Sequence, residues 1–192
     1  MGRKPIKEIR HGELIDAAIT AIHQHGYAAV TIIQIAREAD TAAGSIHYYF
    51  GSKEGLLGAT MRRLLNILRD ATLERLSDAS NPRERLIAMA QSNFDNKLFS
   101  VEQCSVWTQF WANAPYEDAL ARLHKINRAR VRSNFHAELK LLLPPEECEV
   151  ARRALQAYMD GVWLQAAQAS KQLDPPEERR QVKKVIDRLL KD

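Results

Sequence analysis

The sequence predicts an all-α fold, and three observations carry that prediction. Apolar residues recur at spacings of three and four through nearly the whole chain, the period of a helix with one buried face. No segment alternates apolar and polar residues in the manner of a strand. Helix-starting residues (Thr31, Ser52, Asn81, Asp174) stand at the head of the periodic stretches. At 192 residues the chain has room for one large domain or two small ones with cores of their own.

In the first periodic stretch Leu14, Ala17, Ala18, Ala21 and Ile22 form one stripe, and Gly26 supplies a stop just beyond it. Thr31 and Gln34 have the spacing of a capping box, opening a short helix over 32–39. A tight turn at Asp40–Thr41 leads to another helix, under ten residues long and ending near Tyr49. Ser52 caps a long helix bearing Leu56, Leu57, Met61, Leu64, Leu65 and Leu68, which runs to about Ser77. Asn81 as cap with Pro82 at the first helical position and Glu84 at the third opens the next, at about 82–97. Helices at about 101–113, 116–142 and 146–170 follow. The last, 176–190, has Asp174 as cap, Pro175 at its start, and Val182, Val185, Ile186 and Leu189 along one face. About nine helices result, divided into a small unit over 1–52 and a larger one over 53–192.

Composition narrows the function. The apolar share is 45% and the net charge only +4, so a nucleic-acid partner would have to meet a local basic patch. Cys104 and Cys148 are too few for a disulfide framework and lack metal-ligand spacing; reduced, buried thiols in a cytoplasmic protein are expected. The N-terminal MGRKPIKEIR has no apolar core of a signal peptide, and no apolar run approaches the ~18 residues of a membrane span.

One stretch demands a particular explanation: TAAGSIHYYFGSKEGLL, residues 41–57. Two short helices joined by a tight turn form a helix-turn-helix, whose second helix enters the major groove of double-stranded DNA. Small residues (Ala42, Ala43, Gly44, Ser45) let that helix sit deep, where hydroxyls reach bases or phosphates and methyl groups meet thymine. Ile46 and Phe50 are expected to face inward against Ile35 and Ala36, leaving His47, Tyr48 and Tyr49 near the surface with polar tips that reach phosphates. Lys53 falls in the first turn of the next helix, where free backbone N–H groups also favour anions. The arm residues Arg3, Lys4, Lys7 and Arg10, against Glu8 alone, add local positive charge. The alternative is that the aromatics cement a small helical subdomain. That accounts for Phe50 but gives three consecutive polar aromatics and a lysine no role.

The run TIIQIAREADTAAGSIHYYFGSKEGLL resembles the DNA-binding signature of the TetR family of bacterial repressors over about residues 10–60. The family usually has Tyr at the position of His47, His at that of Tyr49, and commonly Gly-Val at Asp40–Thr41. The resemblance implies that Thr31, Thr41, Ala43, Ser45, His47, Tyr48, Tyr49 and Lys53 form the surface for operator DNA. It also implies a homodimer built on the last two helices, here about 146–170 and 176–190.

The larger unit holds all three tryptophans. Trp107 and Trp111 lie one turn apart with Phe110 beside them, and Trp163 follows Asp160 by three residues. A carboxylate among aromatic faces suits a quaternary ammonium ligand, through cation–π attraction plus a counter-charge. Equally, the tryptophans could fill the core while Asp160 bonds a neighbouring helix. The segments ELIDAAITAI, SNFD, VWTQFWA and DGVWLQAA resemble those of the choline-responsive Bet branch of the same family, regulators of glycine betaine synthesis. That resemblance implies choline or a related quaternary ammonium as effector, a neutral or apolar small molecule being the alternative.

Enzymatic signals are missing. His23 and His25 point to different sides of a helix, and His124 and His136 lack supporting Cys or carboxylate spacing. There is no phosphate-binding glycine loop and no nucleophile elbow. Neither a metal nor a cofactor is expected. The remaining class is a helical interaction module without DNA binding.

Overall fold

A computed structural model describes residues 6–190. Among them are nine α-helices and two short 3₁₀ turns, with no strand: α1 (Ile6–His25), α2 (Ile32–Glu38), α3 (Ala43–Phe50), α4 (Lys53–Leu76), α5 (Pro82–Gln91), α6 (Val101–Asn113), α7 (Asp118–Leu139), α8 (Pro145–Ala167) and α9 (Pro175–Leu189). Arg3 and Lys4 of the basic arm lie outside the described residues. No described helix is long and apolar enough to cross a membrane.

Local chemistry explains the small N-terminal unit. α1 buries Leu14, Ala18 and Ile22 and stops at Gly26, whose φ of 85° suits glycine alone at no cost. The capping box of α2 is complete: the Thr31 hydroxyl accepts from the Gln34 backbone N–H at 3.2 Å, and the Gln34 side-chain oxygen accepts from the Thr31 N–H at 2.8 Å. The turn to α3 puts Asp40 at φ 46°, where Asp is tolerated and glycine would be unstrained. Ser52 accepts from the Gly55 N–H at 3.1 Å and starts α4. α4 is 24 residues long, about 36 Å at the usual rise. It packs on α1 and α3 at one end and on α5 and α7 at the other.

Apart from the ends of α7 and α8, which shift by up to three residues, the body differs from the sequence expectation in two places. α5 ends at Gln91 instead of 97, giving way to a 3₁₀ turn at Ser92–Phe94. The Asn93 side chain donates to the Met89 and Ala90 carbonyls, and the Asp95 carbonyl accepts from Leu98 and Phe99, so the backbone bonds that would extend the helix are diverted. The apolar stripe of α9 does not face outward either. Val182 and Ile186 are fully buried within the protomer, where α9 packs on α5, so they are core and not the dimer surface the pattern suggested. Each such burial contributes about 1.5–3 kcal/mol. The exposed apolar stripe lies on α8 instead: Val150, Ala154, Ala157, Gly161 and Leu164, spaced four, three, four, three, with Val150 69% and Leu164 52% exposed.

One continuous core runs from Leu14 in α1 to Ile186 in α9. Both cysteines are free and buried; the Cys148 thiol donates to the Pro144 carbonyl at 3.3 Å.

Candidate nucleic-acid interface and ligand pocket

α3 anchors itself through Ile46, which is fully buried. Phe50 is half-buried and stacks on His11 of α1, ring centroids 4.4 Å apart. With that face inward, Gly44 and Tyr48, one turn apart, stand outermost, and Tyr48 is 77% exposed. Its ring meets Tyr49 edge-on at 5.0 Å, and Tyr49 is half-buried against the core. Ala43 also turns partly to the core and sits at the inner edge of the face. Thr41 and Ser45 share a hydroxyl–hydroxyl bond of 2.9 Å on the flank turned to α1, lining a shallow hollow with Arg10, Glu13 and Tyr49. His47 stands on the opposite flank, exposed, with Nδ1 3.1 Å from the Gly51 carbonyl.

Lys53 and Thr31 frame this helix. The Lys53 ammonium donates to the Ala28 carbonyl at 3.4 Å, tying the start of α4 to the α1–α2 turn; its other two hydrogens have no acceptor among the described residues. Thr31 is exposed at the head of α2. The described sequence candidates thus gather on and around α3. Ile33, 72% exposed on the outer side of α2 one turn before Arg37, joins that surface and was not among them. Its signal was a large apolar residue outside the buried period.

In the body, the tryptophans converge. Trp107 lies 5.2 Å from Trp163 and 6.4 Å from Trp111, and Trp111 lies 6.5 Å from Trp163. Phe110 turns the other way, meeting Tyr27 edge-on at 5.4 Å, so it is not part of the cluster. Asp160 lies at the cluster's rim but is not free: it accepts from Arg128 at 2.7 Å and from Gln156 at 3.0 Å. The space enclosed there is about 20 Å³, room for a single water. The indole N–H groups of Trp111 and Trp163 are buried without a partner among the described residues. Arg128 is 32 positions from Asp160, a separation that no local pattern reveals.

Helix-turn-helix and body both have matches among known families. Residues 14–60 match the profile described as bacterial regulatory proteins, tetR family. Residues 82–191, more than half of the chain, match the profile described as BetI-type transcriptional repressor, C-terminal. The chain belongs to the BetI-type branch of the TetR family.

Relatives agree over nearly full length. The HTH-type transcriptional regulator BetI of Burkholderia mallei (strain NCTC 10229) is 37% identical over 191 residues, covering 99% of this chain and 98% of the relative. That of Escherichia coli (strain SE11) is 39% identical over 178 residues, covering 92% and 91%. A transcriptional regulator of Saccharomonospora viridis, solved in complex with choline, superposes with a TM-score of 0.78 at 22% identity, covering 94% of this chain and 96% of the other, which shows a shared fold. The BetI-type chain is therefore a DNA-binding transcriptional regulator, with α2 and α3 as its helix-turn-helix.

Proposed function

We propose that this BetI-type regulator represses transcription as a homodimer and is released from operator DNA by choline or a related quaternary ammonium. The observation that carries the effector reading is the three-tryptophan cluster with Asp160 at its rim. The relative from Saccharomonospora viridis, which holds choline in the same fold, supports it. The trimethylammonium group takes the indole faces, each contact contributing about 0.5–2 kcal/mol. The choline hydroxyl gives the unpaired indole N–H groups an acceptor.

The chamber holds only one water, so choline selects a more open arrangement in which Arg128 leaves Asp160. That ion pair is partly exposed, 45% and 30% for its two side chains, so breaking it costs at most about 1 kcal/mol. A ligand shifts a two-state equilibrium only by its differential affinity, and tenfold release needs about 1.4 kcal/mol.

On the operator, Tyr48 and Lys53 position the protein on phosphates while Thr41, Ser45 and His47 face bases, with residues 1–52 as the DNA-binding unit and 53–192 as the sensing one. The head of α4 adds its free N–H groups beside Lys53. The α8 stripe is the dimer seam: its four-three spacing is that of coiled-coil contacts, and Ala154, Ala157 and Gly161 let two copies approach closely. Two recognition helices then stand about 34–36 Å apart, to meet successive major grooves.

Calorimetry with choline tests the effector, paired with a gel shift on DNA from the protein's own gene neighbourhood. Wild type binds choline and leaves the operator; Trp163→Ala and Asp160→Asn hold the operator but need at least tenfold more choline for release. If choline neither binds the wild type nor releases it, the cluster is core and the reading fails.

A further inference from the structure

A second cavity, about 150 Å³, opens between α4, α5 and α7. Its floor is apolar: Leu68, Met89 and Phe135 are buried there. Two hydroxyls, Thr72 and Ser92, lie 2.8 Å apart, with the Leu68 and Met89 carbonyls 2.7 Å from Thr72 and Ser92 respectively; their two hydrogens are taken up within this group, so neither needs a polar guest. A cavity of this volume lined by such residues holds a body the size of benzene.

The rim is cationic. Arg69 is held by Asp70 at 2.9 Å. Arg130 is half-buried, its Nη2 donates to the Asn127 side chain at 3.0 Å, and it forms no ion pair among the described residues. Burial first, and the neighbouring Arg69 charge second, lower its affinity for a proton, although a guanidinium stays charged. A half-buried arginine without a counter-ion is an incomplete arrangement, because its planar fork fits a carboxylate with two hydrogen bonds.

We propose that this cavity binds a small organic carboxylate with an apolar body of about six carbons, its carboxylate on Arg130 and its body on the Leu68–Phe135 floor. The rim charge repels a quaternary ammonium, so this site and the tryptophan chamber sort ligands by sign. The two adjoin, since Leu68, Asn93 and Val131 line both. α4, which carries Leu68 and Thr72, runs on to the helix-turn-helix, so an occupant bears on the same helix that positions the DNA-binding face. This proposal stands whether or not choline is the effector of the other chamber.

Benzoate and its uncharged counterpart benzyl alcohol are the probes, measured by calorimetry on the full chain. One benzoate binds per protomer, at least tenfold tighter than benzyl alcohol. Arg130→Gln weakens benzoate at least tenfold, and Arg130→Lys, which keeps the charge but loses the two-bond fork, falls between Gln and wild type. Saturating choline leaves benzoate stoichiometry unchanged. The proposal is overturned by no benzoate binding, by equal binding of acid and alcohol, by an affinity indifferent to Arg130→Gln, or by displacement of benzoate by choline.

Discussion

Gln109 accepts the Tyr27 backbone N–H on its side-chain carbonyl at 2.6 Å, bridging two residues 82 positions apart. Its amide N–H donates back to the Ile22 carbonyl at the end of α1, at 3.4 Å, and to Ser105 at 3.2 Å. Gln109 lies between Trp107 and Trp111 on α6, and the Tyr27 hydroxyl is itself held by Glu117 at 2.5 Å. One helix thus carries two indoles of the chamber and a grip on the DNA-binding unit, so α4 is not the sole mechanical link.

Gln109→Leu keeps the bulk and removes all three bonds, leaving the part-buried Tyr27 N–H unpaired. The loss costs about 1–3 kcal/mol of stability. Choline affinity by calorimetry should stay within threefold, while the choline concentration for half-release from operator rises at least fivefold. A variant with a wild-type release curve would remove α6 from the coupling.

Gly55 lies where the first turn of α4 crosses the end of α3. A Cβ there would overlap the Phe50 carbonyl oxygen, which is backbone and cannot swing aside. Gly55→Ala should therefore displace α3 and weaken operator binding at least tenfold, with choline binding intact. Gly44→Ala, where nothing lies within 4 Å of the added carbon, is the control for stability. Unimpaired operator binding by Gly55→Ala would show that the α3–α4 contact yields more than close packing allows.

Lys53→Ala should weaken binding to specific and unrelated DNA alike. Because one phosphate contact is lost, the slope of log affinity against log salt should fall by about one unit. Altered base preference at an unchanged slope would move Lys53 from phosphate to base readout.

Ala157→Arg places a long charged side chain in the middle of the α8 stripe, at a position exposed in the protomer. Sedimentation should show folded monomers that no longer bind operator, since a cation buried at a close seam lacks a partner. Val182→Asp puts a charge in the core between α9 and α5, and should lower thermal stability by several kcal/mol. An intact Ala157→Arg dimer would rule out the α8 seam.

Most of this architecture was legible locally. The bounds of α2, α3 and α4 follow from Thr31, Gly51 and Ser52, because caps and turns are settled by residues within four positions of one another. Asp40 illustrates the same point: it occupies the positive-φ position where the family commonly has glycine. What failed was partner assignment. The period of α9 shows that Val182 and Ile186 are buried but not against what, and α5 proved to be the answer. The Arg128–Asp160 pair and the Gln109 bridge join distant segments, so only the folded chain brings them into view.

Cys104 gives this regulator an unintended clock. Burial alone pushes the Cys104 thiol up to about 12, so at neutral pH it holds its proton and is shielded from solvent. Oxidants and alkylating reagents therefore reach it only through an opening of the body. Its labelling rate reports how often that body breathes, and effectors that tighten the fold slow the reaction without touching sulfur.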